Sequence, residues 1–240
     1  MAEQINYIYF DEIDSTNLYL KKNYQSIPAN SVVSTGFQNN GRGRYDRSFV
    51  SSRNQNVLFS ILLKDKFSFD NFENICLLSG AAVSMTLAKN HIKSSIKWPN
   101  DILINGKKTC GILLEGVSTS VMQALIVGIG LNVNQMAFNN LPNATSMKLE
   151  SGVEFNTKKL LVEIVDTFFM LLNDLKKGKN SFIDYVKENN YYKDKEVGAL
   201  LNGEKVRIKV LDILNDSHLL IELNGEKKEV NNCELTFHIK

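Results

Sequence analysis

Apolar and polar positions alternate along this chain with two different periods, and the switches between them outline its elements. Ile5 to Asp11 (INYIYFD) is aromatic and β-branched and predicts a first strand. Asp14 or Ser15 can then cap a short helix carrying Leu18, Tyr19 and Leu20. Ser31 to Phe37 predicts a second strand, and Asn56 to Leu63 (NVLFSILL) a buried one. Asp70 and Glu73 form a capping-box-like start to a long helix, Asn71 to about His91, with Ile75, Leu78, Ala82, Met85 and Leu87 on or near its apolar face. Asn105-Gly106 is a hairpin turn between DILI and a long apolar strand, Thr109 to Glu115, and Ser118 to Ser120 turn the chain into Ala124 to Val133 (ALIVGIGLNV). A polar stretch of low periodicity follows Asn134 and runs to Gly152. The helical period then returns from an Asn156 or Thr157 cap through Lys158 to Lys176, ended by Gly178, and again over Ser181 to Asn189. From Lys195 the pattern becomes short strands (Val206 to Leu211, Leu219 to Leu223, Glu234 to Ile239) with Asn202-Gly203 and Asn224-Gly225 as turns, which predicts a small β-barrel appendage.

Composition narrows the class. At 240 residues and 43% hydrophobic, the chain can bury a full core as one domain plus that appendage. A net charge of +2 is far too small for a general nucleic-acid binder. Neither an N-terminal apolar run nor eighteen consecutive apolar residues occur, so a cytoplasmic protein without a membrane partner is expected. Cys76, Cys110 and Cys233 are widely spaced, which argues for reduced thiols and against a disulfide framework or a zinc site. Cys76 lies among apolar residues and reads as core.

Charge is distributed unevenly, and this changes the picture. Of five arginines, four (Arg42, Arg44, Arg47, Arg53) fall within Gln38 to Arg53. Arginine meets carboxylate or phosphate through a planar fork of donors, which a lysine cannot do. Gly41 and Gly43 alternate with the first two arginines, so an anion can approach the backbone N–H groups without a Cβ in the way. A solvated basic turn is the plainer reading, but the clustering favours a loop that holds anions. Ile96 to Asp101 (IKWPND) contains the single tryptophan, and Pro99 pushes Trp98 into extended backbone, which fixes the direction of Lys97 at a strand end. Gly111, Gly128 and Gly130 remove side chains from strands; a ligand or another strand passing close would both explain Gly111. Ser15, Thr16 and Asn17 present hydroxyl and amide groups at a helix start, where plain capping is the bland explanation. No GxxxxGK[ST], HExxH or GxSxG occurs, and His91, His218 and His238 are far apart and read as surface or packing residues. What remains is an anion-gathering set, Arg42, Arg44, Arg47 and Lys97, suited to bringing a carboxylate and a polyphosphate together, as in adenylate formation.

These residues carry a resemblance. Asp14-Ser15-Thr16-Asn17, Gln38 with Gly41-Arg42-Gly43-Arg44 and Arg47, Lys97-Trp98-Pro99-Asn100-Asp101, Gly106-Lys107 with Gly111-Ile112-Leu113, and Gly128 to Asn132 are similar, in order, to the motifs of bacterial biotin protein ligases. The resemblance implies an α+β fold, a mixed and largely antiparallel sheet with helices packed on it (class II synthetase-like), over residues 1–192, with an SH3-like C-terminal domain over 193–240. It also implies a two-step reaction in which biotin and Mg-ATP give biotinyl-5′-AMP, whose acyl group passes to a lysine of a biotin carboxyl carrier domain. Ser15, Thr16 and Gln38 would then hydrogen-bond the ureido ring. Arg42 and Arg44 would order the loop over the adenylate phosphate, Arg47 would hold pyrophosphate, and Lys97 would bridge the biotin carboxylate and the α-phosphate. Gly41, Gly43, Gly111 and Gly128 would make room for biotin, and Phe49, Asn100 and Asn132 would contact the nucleotide. Asp101 either helps deprotonate the incoming lysine or caps a strand end. No motif assigns the magnesium ligands, and a homodimer is compatible with the resemblance.

Two departures stand out. Where many family members read GRGRxGRxW, this chain reads GRGRYDRSF, so Asp46 replaces a glycine and Phe49 a tryptophan. Asp46 could order the empty loop or weaken nucleotide binding, and Phe49 keeps an aromatic face. The chain begins almost at the catalytic motifs, so no winged-helix domain and no DNA binding are expected. A lipoate-type ligase of the same fold and a nucleic-acid-binding regulator are the competing readings.

Overall fold

The computed structural model describes residues 5–44, 48–138 and 141–237. Strands β1 (Asn6–Phe10), β2 (Ser31–Thr35), β3 (Asn56–Leu63), β4 (Ser95–Lys97), β5 (Asp101–Ile104), β6 (Lys107–Ser118) and β7 (Met122–Asn132) form one seven-stranded sheet in the order β1-β2-β3-β7-β6-β5-β4. Only β1 and β2 run parallel; the other neighbours are antiparallel. Helix α1 (Thr16–Asn23) covers one face, and α3 (Phe72–Lys89), α5 (Thr157–Lys176) and α6 (Ser181–Glu188) cover the other. Two short helices, α2 (Lys66–Asp70) and α4 (Met147–Ser151), precede α3 and α5.

The period of two in each strand sorts residues between these layers. In β3, Val57, Phe59, Ile61 and Leu63 face the three-helix side, while Leu62 packs beneath α1 and Ser60 touches its first turn. In β7, Leu125, Val127, Ile129 and Leu131 join the same main core, and Ala124 and Ile126 lie under α1. Continuing that second face along the strand gives Gly128 and Gly130, and the paired strand β6 adds Gly111 opposite Gly130 and Leu113 opposite Gly128. The glycines therefore remove side chains from a single face, beyond the N-terminus of α1, and leave a hollow there.

The element readings hold in kind and shift at their ends. Ser15 is the N-cap of α1, its hydroxyl accepting from the Leu18 N–H, and Asn156 caps α5. The three Asn-Gly turns all have positive φ at both residues, as a tight hairpin between twisted strands requires. The long helix expected from Asn71 is preceded by α2, which Asp65 caps. Asn71 makes no side-chain cap, so the capping box does not form, and Glu73 pairs with His218 instead. The polar stretch before Gly152 contains α4, too short to show a period.

Residues beyond α6 form a five-stranded antiparallel sheet, β8 (Glu196–Leu201), β9 (Glu204–Ile213), β10 (Leu219–Leu223), β11 (Glu226–Val230) and β12 (Leu235–Phe237), in the order β11-β10-β9-β8-β12. It rests on the tryptophan of the KWPND motif. Trp98 is buried, donates through Nε1 to the Ser217 carbonyl at 2.9 Å, and meets Phe237 edge-on, while Phe237 stacks on Tyr192 at 4.0 Å. The same turn places the Ser217 hydroxyl 2.6 Å from Asn74 Oδ1, with His218 Nε2 2.9 Å from Glu73 on α3. No described helix is long and apolar enough to cross a membrane.

Candidate functional site

The hollow on the glycine face opens into a cavity lined by Ser15, Thr16 and Asn17 from α1, Gln38, Arg42, Gly43, Arg44 and Phe49 from the loop after β2, Asn100, Lys108, Gly111 and Leu113 beside β6, and Gly128 and Gly130 from β7. The segment Gln38 to Asn40 runs beside Ile13 and Asp14, with Asn39 N–H donating to Ile13 and Asn40 N–H to Asp14. This pairing brings Gln38 against the helix start. Gln38 Oε1 accepts from the Thr16 backbone N–H at 2.9 Å. That fixes the amide orientation, so Nε2, which lies beside Gly41, is the donor left for a ligand.

From Gly41 the loop folds back on itself: Arg42 bridges Ser48, and the Phe49 N–H donates to the Gly41 carbonyl at 2.8 Å. The Phe49 ring lies across the glycine strip, since a Cβ on Gly130 would stand 2.7 Å from its tip. The same ring borders a second, more open hollow lined by Phe37 to Arg42 and Ser48 to Ser51. Phe49 thus forms the wall between the two. Arg44 Nη1 lies 3.5 Å from Asn100 Oδ1, and Asn100 is held in turn to Ile112 by bonds of its amide and its carbonyl. The arginine is therefore aimed by the KWPND loop. Arg53 turns away, paired with Glu12 and lying over the Phe37 ring, so it is not part of the cavity.

The lysine that lines the cavity is Lys108. Lys108 Nζ sits 2.6 Å from Asp101 Oδ1 and 3.1 Å from the position a Gly111 Cβ would take. Strict alternation would place Lys108 on the face opposite Gly111. The pairing of β5 with β6 slips between Ile102 and Leu103, matching Cys110 to Ile102 and Lys108 to Leu103, and the resulting bulge turns Lys108 toward the glycines. Lys97, at the end of β4 opposite Asp101, does not line the cavity. Asn132 is buried, and its amide donates to the Thr145 carbonyl. Gly41 borders only the second hollow, and Arg47, Asp46 and His238 lie outside the described residues. Beyond the expected set the lining adds Asn17, Lys108, Leu113 and Gly130, with Phe59, Ile112 and Ile129. Gly130 and Leu113 were legible as the period-two neighbours of Gly128 and Gly111, whereas Lys108 was hidden by the bulge.

Neither buried thiol is a nucleophile. Burial pushes the Cys76 thiol up to about 12, and burial raises Cys110 as well. The cavity instead offers a neutral donor and acceptors at the α1 end, an uncharged glycine-lined slot, and three cations among the described residues, Arg42, Arg44 and Lys108. Such a site can hold a long polar-headed acid and stabilise charge that accumulates at its carboxyl end.

Residues 8–132, more than half of the chain, match the model of the biotin/lipoate A/B protein ligase family. The bifunctional ligase/repressor BirA of Bacillus spizizenii is 34% identical over 169 residues, covering 67% of this chain and 52% of that protein, and the biotin--[acetyl-CoA-carboxylase] ligase of Mycobacterium tuberculosis is 31% identical over 127 residues, covering 51% and 46%. The chain thus spans about half the length of these curated relatives. Its backbone superposes on the biotin protein ligase from Aquifex aeolicus in complex with biotin and ATP with a TM-score of 0.88 at 28% identity, covering 98% of this chain and 99% of that one. With the motif order, the α+β sheet and the lined cavity all in agreement, this chain belongs to the biotin/lipoate A/B protein ligase family.

Proposed function

We propose that this protein activates biotin with ATP and transfers the biotinyl group to a lysine of a biotin carboxyl carrier domain. The observation that carries the reading is the pairing, at one end of the slot, of a hydrogen-bond donor (Gln38 Nε2) with the Thr16 hydroxyl, a combination matched to the C=O and N–H of a cyclic urea. A dithiolane ring offers neither group. Lipoate bound there would leave buried polar groups unpaired, a cost of about 1–3 kcal/mol for each. The names of relatives that act as biotin ligases support the same choice.

In the first step a carboxylate oxygen of biotin attacks the α-phosphorus of ATP, forming an acyl–phosphate bond as the bond to pyrophosphate breaks. Lys108 is placed to neutralise both the carboxylate and the α-phosphate, the role expected of Lys97, and Arg44, aimed by Asn100, supports the phosphate. Displacement of the Phe49 ring would join the two hollows and make room for the nucleotide. In the second step the carrier amine attacks the acyl carbon, AMP departs with the electron pair, and the amine loses a proton. The cavity lining has no carboxylate among the described residues, so it offers no oxygen-ligand set for a resident metal. Magnesium enters with the nucleotide substrate. Residues 1–192 carry the chemistry in this reading, and 193–240 brace the KWPND loop through Trp98.

Incubation with ATP, a carrier domain and either biotin or lipoate tests the proposal. Biotinyl-5′-AMP in the absence of carrier, and the mass gain of one biotinyl group on the carrier lysine, are expected. Activation of lipoate with biotin ignored would overturn it.

A further inference from the structure

Behind Thr16 runs a line of polar side chains that the two-step reaction does not use. Ser60, with no exposure at all, sits 2.6 Å from Thr16 Oγ1 and 2.5 Å from Asn17 Oδ1. Asn17 Nδ2 is 2.9 Å from Glu115 Oε2, and Lys21 pairs with the other oxygen of Glu115 at 3.4 Å. Gly128 makes the line possible, because a Cβ there would collide with the Asn17 amide. Ser60 and Glu115 do not line the cavity.

The direction of every proton in this line is determined by its outer end, where the Asn17 N–H₂ faces the Glu115 carboxylate at 2.9 Å and, more distantly, the Leu113 carbonyl at 3.4 Å. A carboxylate can only accept, so the Asn17 amide must turn its N–H₂ toward Glu115 and its oxygen toward Ser60. An amide oxygen can only accept, so Ser60 gives it its single hydrogen. Ser60 must then accept from Thr16, which has one hydroxyl hydrogen and spends it at 2.6 Å. A lone pair of the Thr16 oxygen is what remains for the cavity, and the 3.3 Å approach to Gln38 Oε1 is left without a proton of its own.

We infer that Glu115, through Asn17 and Ser60, is a specificity-determining positioning residue: it makes Thr16 an obligate acceptor and so selects ligands that present an N–H at the α1 end of the cavity. This rests on the proposed biotin reading and supplies its selectivity against acids with rings that lack an N–H. The relay holds Thr16 in this state before the ligand arrives, so no hydrogen has to be re-aimed on binding.

The full chain is tested as wild type, Glu115→Met, Glu115→Gln and Ser60→Ala, by calorimetric titration with biotin and with biotin methylated at either ureido nitrogen, alongside the KM for ATP. Loss of one oriented hydrogen bond should weaken biotin by about 5- to 30-fold in Glu115→Met and Ser60→Ala, with the KM for ATP within about twofold of wild type. Glu115→Gln, whose amide oxygen can still accept, should recover most of the affinity. In wild type one of the two methylated ligands should bind far more weakly than biotin, and Glu115→Met should shrink that gap. Unchanged biotin affinity in both Glu115→Met and Ser60→Ala, an equal loss toward ATP, or a methylation penalty that does not shrink would overturn the inference. Should Glu115→Met fail to fold, Ser60→Ala decides alone. Wild type that forms no biotinyl adenylate is a separate outcome and sinks the biotin reading itself.

Discussion

Replacing Lys108 and Lys97 one at a time by methionine asks which cation serves the adenylation step. Lys108 Nζ lies beside the glycine strip, so a carboxylate or phosphate oxygen in the cavity can come within about 4 Å, where a unit charge pair is worth about 4 kcal/mol at an effective dielectric of about 20. The lysine side chain is 41% exposed before any ligand covers it, and it already shares its charge with Asp101, which reduces that value by roughly a third to a half. About 2–3 kcal/mol remains for charge that grows in the transition state, corresponding to roughly 30- to 150-fold in rate. Lys108→Met should therefore slow single-turnover formation of biotinyl-5′-AMP by that factor, followed by acid quench and mass spectrometry. Lys97→Met should change it by less than about threefold, because its side chain does not line the cavity. Removing Lys108 also leaves the Asp101 carboxylate without its cation, so Lys108→Met/Asp101→Asn serves as the control for added repulsion. A Lys108→Met rate within threefold of wild type, or an equal loss in Lys97→Met, would refute the assignment.

Other consequences follow from single contacts. Gly128→Ala should displace the Asn17 amide from between Ser60 and Glu115, costing about 1–3 kcal/mol in urea denaturation and weakening biotin more than ATP. Trp98→Phe keeps the ring packing but leaves the buried Ser217 carbonyl without its donor, a loss of about 1–3 kcal/mol by the same measurement. Burial works against the charged form of His218, but the hydrogen bond to Glu229 and the carboxylates of Asp216 and Glu73 outweigh it, so its folded-state pKa lies above the ordinary histidine value. The stability it contributes is then complete below the unfolded value of about 6.5 and lost as pH rises through the folded one. The difference in urea midpoint between wild type and His218→Gln should be larger at pH 6 than at pH 9, and a difference that grows with pH would contradict the ion-pair geometry.

Much of this protein was determined by local order in the sequence. The run Asn56 to Leu63 became a strand over those same residues, because the seven apolar or small side chains that follow Asn56 can be buried on both faces of a central strand. The Asn-Gly pairs at 105–106, 202–203 and 224–225 became tight turns, since those two residues tolerate the positive φ that the turn demands. The glycine–arginine loop and the KWPND segment were legible because unusual residue types were concentrated there. Three features depended on contacts distant in the chain. Helix α3 lost its expected capping box because Glu73 found His218, 145 positions further on, at the seam with the C-terminal sheet. Lys108 joined the cavity lining because a one-residue slip between β5 and β6 reverses which face a side chain takes, and such a slip leaves no mark in the hydrophobic pattern. Thr16, Ser60, Asn17 and Glu115 read separately as a helix start, a strand serine and a strand end, and only the packing of α1 onto β3, β6 and β7 joins them into one hydrogen-bonded line. Period and composition decide what each segment becomes, because those are local free energies; which side chains meet in the cavity is decided by register and by the packing of layers, which are properties of the folded chain alone.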